Sequence, residues 1–236
     1  MTAKFSTVNH EAHRNLKIKE NAGFAHIRDQ HVAPLALHEF VKMASSLPIA
    51  FVKPQESDEF HAVAMMGLKP GENLVVKDGS WNAVYAPASV AIHPFSLART
   101  PNKDKNEFVL TVDENSPHVS ESEGHALFDE EGKGTEFLEN CKKMVMEHFD
   151  HIQVSRQLIK LLADKELIAE NTLAINSKND GENYNIRGIF FIDEKKLDAL
   201  PAEEFEELRK LGLLPAIYAQ LASLHQVHRL HNMSES

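Results

Sequence analysis

Residues 71–98, GENLVVKDGSWNAVYAPASVAIHPFSLA, restrict the fold more than any other stretch of the chain. The largely apolar runs 74–77 and 81–85 flank Asp78-Gly79. Asp-Gly supplies the positive φ values of a tight hairpin turn, so strand, turn and strand are expected here. Pro87 and Pro94 lack the N–H that a sheet ladder needs. The ribbon they bound therefore leaves the sheet and lays Ile92 and Phe95 on a core. The stretch also carries the sole Trp, Trp81, and one of three Tyr, Tyr85.

Around it the chain reads as a strand-rich first part and a helix-rich second part. Residues 16–19, 23–27, 49–52, 60–68 and 108–112 are apolar or alternating runs bounded by turn residues, as strands are. Pro34 and Pro48 bracket a helix over 35–46, with Leu37, Phe40, Val41 and Ala44 at helical spacing. Residues 115–134 are acidic, rich in Ser and Gly, and read as a surface crossing with a small apolar island at 126–128. Thr135 caps a helix whose apolar stripe runs from Phe137 through Cys141, Val145 and Ile152 to Leu162. Its length is unusual enough to expect a break near 150–154. Two strands at 173–175 and 186–192 follow, joined by a polar turn. Asp193 caps a short helix to 200, Pro201 opens another that Gly212 stops, and Pro215 starts the last. That last helix presents Ile217, Tyr218, Leu221 and Leu224 as one stripe. The expected fold is α+β: a compact, mainly antiparallel sheet built chiefly by 16–112, with the C-terminal helices packed on it in a single domain.

A chain of 236 residues with 42% hydrophobic content can bury a sizeable core. Its net charge of −10 opposes binding to nucleic acid or to an anionic membrane surface. No apolar leader and no membrane-length apolar run are visible, so a cytoplasmic protein without membrane insertion is expected. The single Cys141 allows no intramolecular disulfide.

Four blocks resemble the bacterial SapC family, named for a surface-layer-associated protein. They are FAHIRDQHVAPLALHEFVKMASSLPIAFVK (24–53), VAMMGLKPGENLVV with GSWNAVYAPASVAIHPF (63–95), LTVDENSPHVSESEGHALFDEEGKGTEFL (110–138), and GIFFIDEKKLDAL with LRKLGLLPAIYAQLASLHQVHRL (188–230). The resemblance implies one family unit from end to end and a surface-layer association. It also implies an accessory part in handling a peptide or small molecule, and it brings no catalytic residues. Where family members carry basic residues before the Pro-Phe pair, this chain has Ala91-Ile92-His93.

No nucleophile elbow, phosphate loop or dinucleotide fingerprint occurs, and Cys141 falls on a buried stripe. Asp129-Glu130-Glu131 lacks the alternating oxygens of a calcium loop. Two function classes remain. In the first, a non-enzymatic accessory protein with no cofactor recognises a peptide, protein or small molecule through Trp81, Tyr85, His93 and Phe95. In the second, His31, Glu39 and His61 gather round iron or zinc in a metal-dependent enzyme. A structural surface-layer component stands third, and the last helix offers a homodimer face.

Overall fold

The Asp-Gly turn forms as its residues dictate. Asp78 and Gly79 take φ of 51° and 76°, and Val76–Lys77 pairs antiparallel with Ser80–Trp81. The computed structural model that shows this describes residues 3–100, 107–176 and 183–235. They divide into two compact units, each assembled from two separate segments: 1–26 with 88–150, and 27–87 with 151–236.

In the first unit, Phe95–Arg99 and Phe108–Asp113 form an antiparallel pair, and Phe5–Thr7 adds to the outer edge of the latter. A second small sheet sets Lys17–Ile18 between Val119–Ser120 and His125–Ala126. Ile18, Phe95, Leu110, Val112, Leu127, Leu138, Cys141 and Val145 make the core, with Ile92 packed against it. The proline-bounded ribbon thus lays Ile92 and Phe95 on a core, as its pattern demands. The apolar island of the acidic segment supplies Leu127, which is wholly buried.

The second unit holds a five-stranded antiparallel sheet in the order Ile168–Asn176, Asn183–Ile192, Ile49–Val52, His61–Met65, Val32–Pro34. The α+β class holds, but the strands of 16–112 are shared among several sheets, and two of these five come from the second half of the chain. Residues 177–182 of the expected connecting turn lie outside the described residues.

Glu136–Asp164 is one unbroken helix, opened by Thr135, whose Oγ1 accepts from Leu138 N at 3.3 Å. The break expected at 150–154 is absent, for a physical reason: the helix contains neither Pro nor Gly, the usual causes of kinks. The helix expected over 35–46 is shorter. It is a 3-10 turn, Leu37–Glu39, running into Phe40–Met43, and Val41 stays 60% exposed while Met43 is buried. Asp193 caps Glu194–Asp198 by accepting from Lys195 N and Lys196 N. Pro201 precedes Ala202–Lys210, and Gly212 follows it with φ 69°.

The largest departure lies in the helix Leu214–Ser223. Its stripe was expected at Ile217, Tyr218, Leu221 and Leu224, yet Tyr218 is 49% exposed and the buried set includes Gln220 and Ser223. Backbone chemistry explains the rotation. The ladder between Asn183–Ile192 and Ile49–Val52 pairs only Ile189 with Val52 and Phe190 with Phe51. Beyond those rungs Gln220 Oε1 accepts from Ile192 N at 3.1 Å, and its Nε2 donates to Ile49 O at 3.0 Å. Ser223 Oγ accepts from Ile49 N at 2.9 Å. Two polar side chains stand in for missing ladder bonds, and buried backbone groups need such partners.

Candidate metal centre

Three turns of the first unit bring three histidines together. His26 sits in the 3-10 turn Ala25–Ile27. His93 follows the short helix Ala88–Ala91 and precedes Pro94, to which it is joined by a cis peptide bond. His118 ends the turn that follows Phe108–Asp113. That turn is pinned by Asp113, whose Oδ1 accepts from Asn115 N at 3.1 Å and from Lys4 N at 2.7 Å. Pro94 O accepts from Asp113 N at 2.9 Å, which ties the segment bearing His93 to the one bearing His118.

The rings of His26 and His93 stack with centroids 3.8 Å apart and planes 7° from parallel. The His118 ring stands edge-on to both, at 5.3 Å from His26 and 5.0 Å from His93. One ring nitrogen from each lies within 4.8 Å of the other two. Among the described residues this is the one group of three or more His, Cys, Asp or Glu so gathered. His26 adds a second observation: both of its ring nitrogens are buried and neither has a hydrogen-bond partner. A buried unpaired nitrogen forfeits its hydration with nothing in return, and an ion in reach would restore a partner.

The electrostatics favour the neutral form of these imidazoles. Burial, then His93 and His118, push the His26 pKa down to about 3, with Asp113 pulling the other way. Burial and then His118 push His93 down to about 4. Burial alone lowers His118. An unfolded histidine titrates near 6.5, so as pH falls below that value the unfolded chain takes up protons that the fold refuses. Stability of the metal-free protein therefore drops from pH 6.5 towards about 4, by at most about 1.4 kcal/mol per pH unit per imidazole. Urea denaturation at several pH values should show this slope in wild type and a flatter one in a His26→Gln, His93→Gln double variant. Parallel slopes would contradict it.

The residues expected to hold a metal do not gather in this way. His31 offers its backbone carbonyl to Met66 N at 2.7 Å and Gly67 N at 3.0 Å. Glu39 is fully buried, with Oε2 accepting from Ala36 N and Oε1 from the Tyr85 hydroxyl, both at 2.9 Å. His61 opposes Val52 in the sheet, and burial followed by Arg156 lowers its pKa. The buried carboxylate is spent on fixing the chain, so it is unavailable as a ligand.

Of the residues expected to bind a partner, Trp81 and Tyr85 belong to the second unit, His93 and Phe95 to the first. Trp81 Nε1 donates to Tyr85 O at 3.1 Å. Phe95 is 5% exposed and belongs to the core rather than to any groove wall. Tyr85 serves Glu39, and burial with that bond raises its pKa to about 12. Tyr85→Phe should cost about 1–3 kcal/mol in urea denaturation, because it takes a hydrogen-bond partner from a buried acceptor; an unchanged midpoint would show Glu39 satisfied without it.

His93 was singled out by sequence for a different role, whereas His26 and His118 were missed. Their separations in the chain match no local ligand motif. The available signal was their placement beside turn formers, His26 after Gly23 and His118 after Pro117.

A SapC family model matches residues 8–230. The chain belongs to the SapC family. The match takes in all three histidines of this SapC protein. Neither the curated proteins nor the solved structures offered a match. No helix among the described residues is long and apolar enough to cross a membrane.

Proposed function

We propose that this SapC-family protein is a binding protein whose ligand is a divalent transition-metal ion of the zinc class, held by His26, His93 and His118. The observation that carries this reading is a convergent set of three imidazoles, one of which has both nitrogens buried and unpartnered. Imidazole suits zinc, copper, nickel and iron, and a tetrahedral ion with three protein ligands keeps one position open. Thiolate ligation is disfavoured, since burial raises the Cys141 thiol to about 11.

Ligation asks for a modest adjustment. Nitrogens at about 2.1 Å from a tetrahedral ion lie roughly 3.4 Å apart, so the three must close in from their present spread. An ion also lies in the plane of each imidazole that binds it, so the His26 ring must turn out of its stack on His93. No hydrogen bond of either His26 nitrogen is broken by that turn.

Titrating zinc into metal-free protein tests the reading. Calorimetry should give one ion per chain, bound at micromolar affinity or tighter. At a free concentration about 100 times Kd the fold should gain about 2.7 kcal/mol, which raises Tm by roughly 5–10 °C. A His26→Ala, His93→Ala, His118→Ala variant serves as control for the other histidines. Equal uptake by the variant, or no uptake by wild type, would sink the proposal.

A further inference from the structure

We infer, resting on that metal-binding reading, that Ser116 selects which nitrogens bind the ion: Nδ1 of His93 and Nε2 of His118, alongside one nitrogen of His26. Ser116 is 6% exposed. Its Oγ lies 2.7 Å from His93 Nε2 and 3.3 Å from His118 Nδ1, and it accepts from His118 N at 3.1 Å. One nitrogen of each imidazole is thus turned onto one hydroxyl. His93 Nδ1 and His118 Nε2, which make no hydrogen bond among the described residues, are left for an ion.

Proton counting sharpens the inference. A serine hydroxyl has one proton and two lone pairs. The His118 backbone N–H occupies one lone pair. Without metal, only two arrangements satisfy both imidazoles. In one, His93 donates from Nε2 to Oγ and the hydroxyl donates to His118 Nδ1, so His118 keeps its proton on Nε2. In the other, the hydroxyl donates to His93 Nε2 and His118 donates from Nδ1, so His93 keeps its proton on Nδ1. Either way one of the two prospective ligand nitrogens is protonated.

Metal binding removes that conflict by turning the hydroxyl proton away. The His118 backbone N–H then releases Oγ, whose two lone pairs accept from His93 Nε2–H and His118 Nδ1–H, the outer-shell contact that metal-bound imidazoles ordinarily make. One imidazole shifts its proton from the nitrogen that binds the ion to the one that faces Ser116, and no net proton is released. Ser116 is a positioning residue in this scheme, with its effect on the ion transmitted wholly through the two rings.

Nitrogen-15 NMR of histidine-labelled protein, recorded with and without one equivalent of zinc, reads the tautomers directly, with ring signals assigned by single His→Gln variants. Zinc should bind His93 through Nδ1 and His118 through Nε2, and one of the two rings should change tautomer on loading. Ser116→Ala should lower zinc affinity by about 10–100-fold, and Ser116→Thr, which keeps the hydroxyl, should restore it. Ligation through His93 Nε2 or His118 Nδ1, or unchanged affinity in Ser116→Ala, would overturn the inference while leaving metal binding intact. Ring signals indifferent to zinc would instead remove the metal-binding reading itself.

Discussion

Replacing His93 with Ala should lower zinc affinity at least about a hundred-fold if the proposed site holds the ion, beyond the 10–100-fold that loss of an outer-shell partner costs. The size follows from the count of ligands. In the proposed site three neutral imidazoles are the whole protein contribution among the described residues, so removing one leaves two and a hole that water must fill. His26→Ala and His118→Ala should act alike, since each takes away one ligand of the same kind. His38→Ala is the informative control. His38 and His151 form another imidazole pair, with centroids 4.0 Å apart, but no third ligand joins them among the described residues. Its affinity should match wild type in calorimetry. If His38→Ala weakened zinc as much as His93→Ala, the ion would sit elsewhere.

The second large effect is on stability. Gln220→Leu should cost roughly 2–6 kcal/mol, because Ile192 N and Ile49 O both lose their only substitute for a ladder partner, at about 1–3 kcal/mol each. Leucine fills similar volume, so the loss is one of hydrogen bonding rather than of packing. On the same helix, Tyr218→Ala should change stability by about 0.5 kcal/mol or less, as exposed substitutions do. Urea denaturation of the two variants separates the accounts: the apolar stripe read from sequence predicts the opposite ranking. A Gln220→Leu midpoint near that of wild type would mean that water or a shifted backbone satisfies both groups.

That contrast shows where the sequence could be read and where it could not. The Asp78-Gly79 hairpin, the Thr135 and Asp193 caps, and the Pro201 and Gly212 helix limits were legible because each is set by one residue's own φ or donor count. The rotation of Leu214–Ser223 was not. Gln220 and Ser223 are buried to serve backbone groups of Ile192 and Ile49, far away in the chain, and hydropathy scores them as solvent-facing. The unbroken helix Glu136–Asp164 was misjudged on length, although its lack of Pro and Gly was in plain view.

The site was less legible than the fold. Glu39 and Tyr85 were assigned to different candidate sites and instead bond to each other. His26 and His118 stand 67 and 25 residues from His93, and only tertiary placement of three turns makes them neighbours. Ser116 carries no sequence signal at all, since a serine after Asn115 and before Pro117 reads as ordinary turn chemistry.

X-ray absorption at the zinc edge, on protein loaded with one equivalent, bears most directly on whether these three histidines hold an ion. The account predicts three imidazole nitrogens at about 2.0–2.1 Å, falling to two in His118→Ala. A sulfur neighbour, or a wild-type spectrum that His118→Ala leaves unchanged, would contradict it.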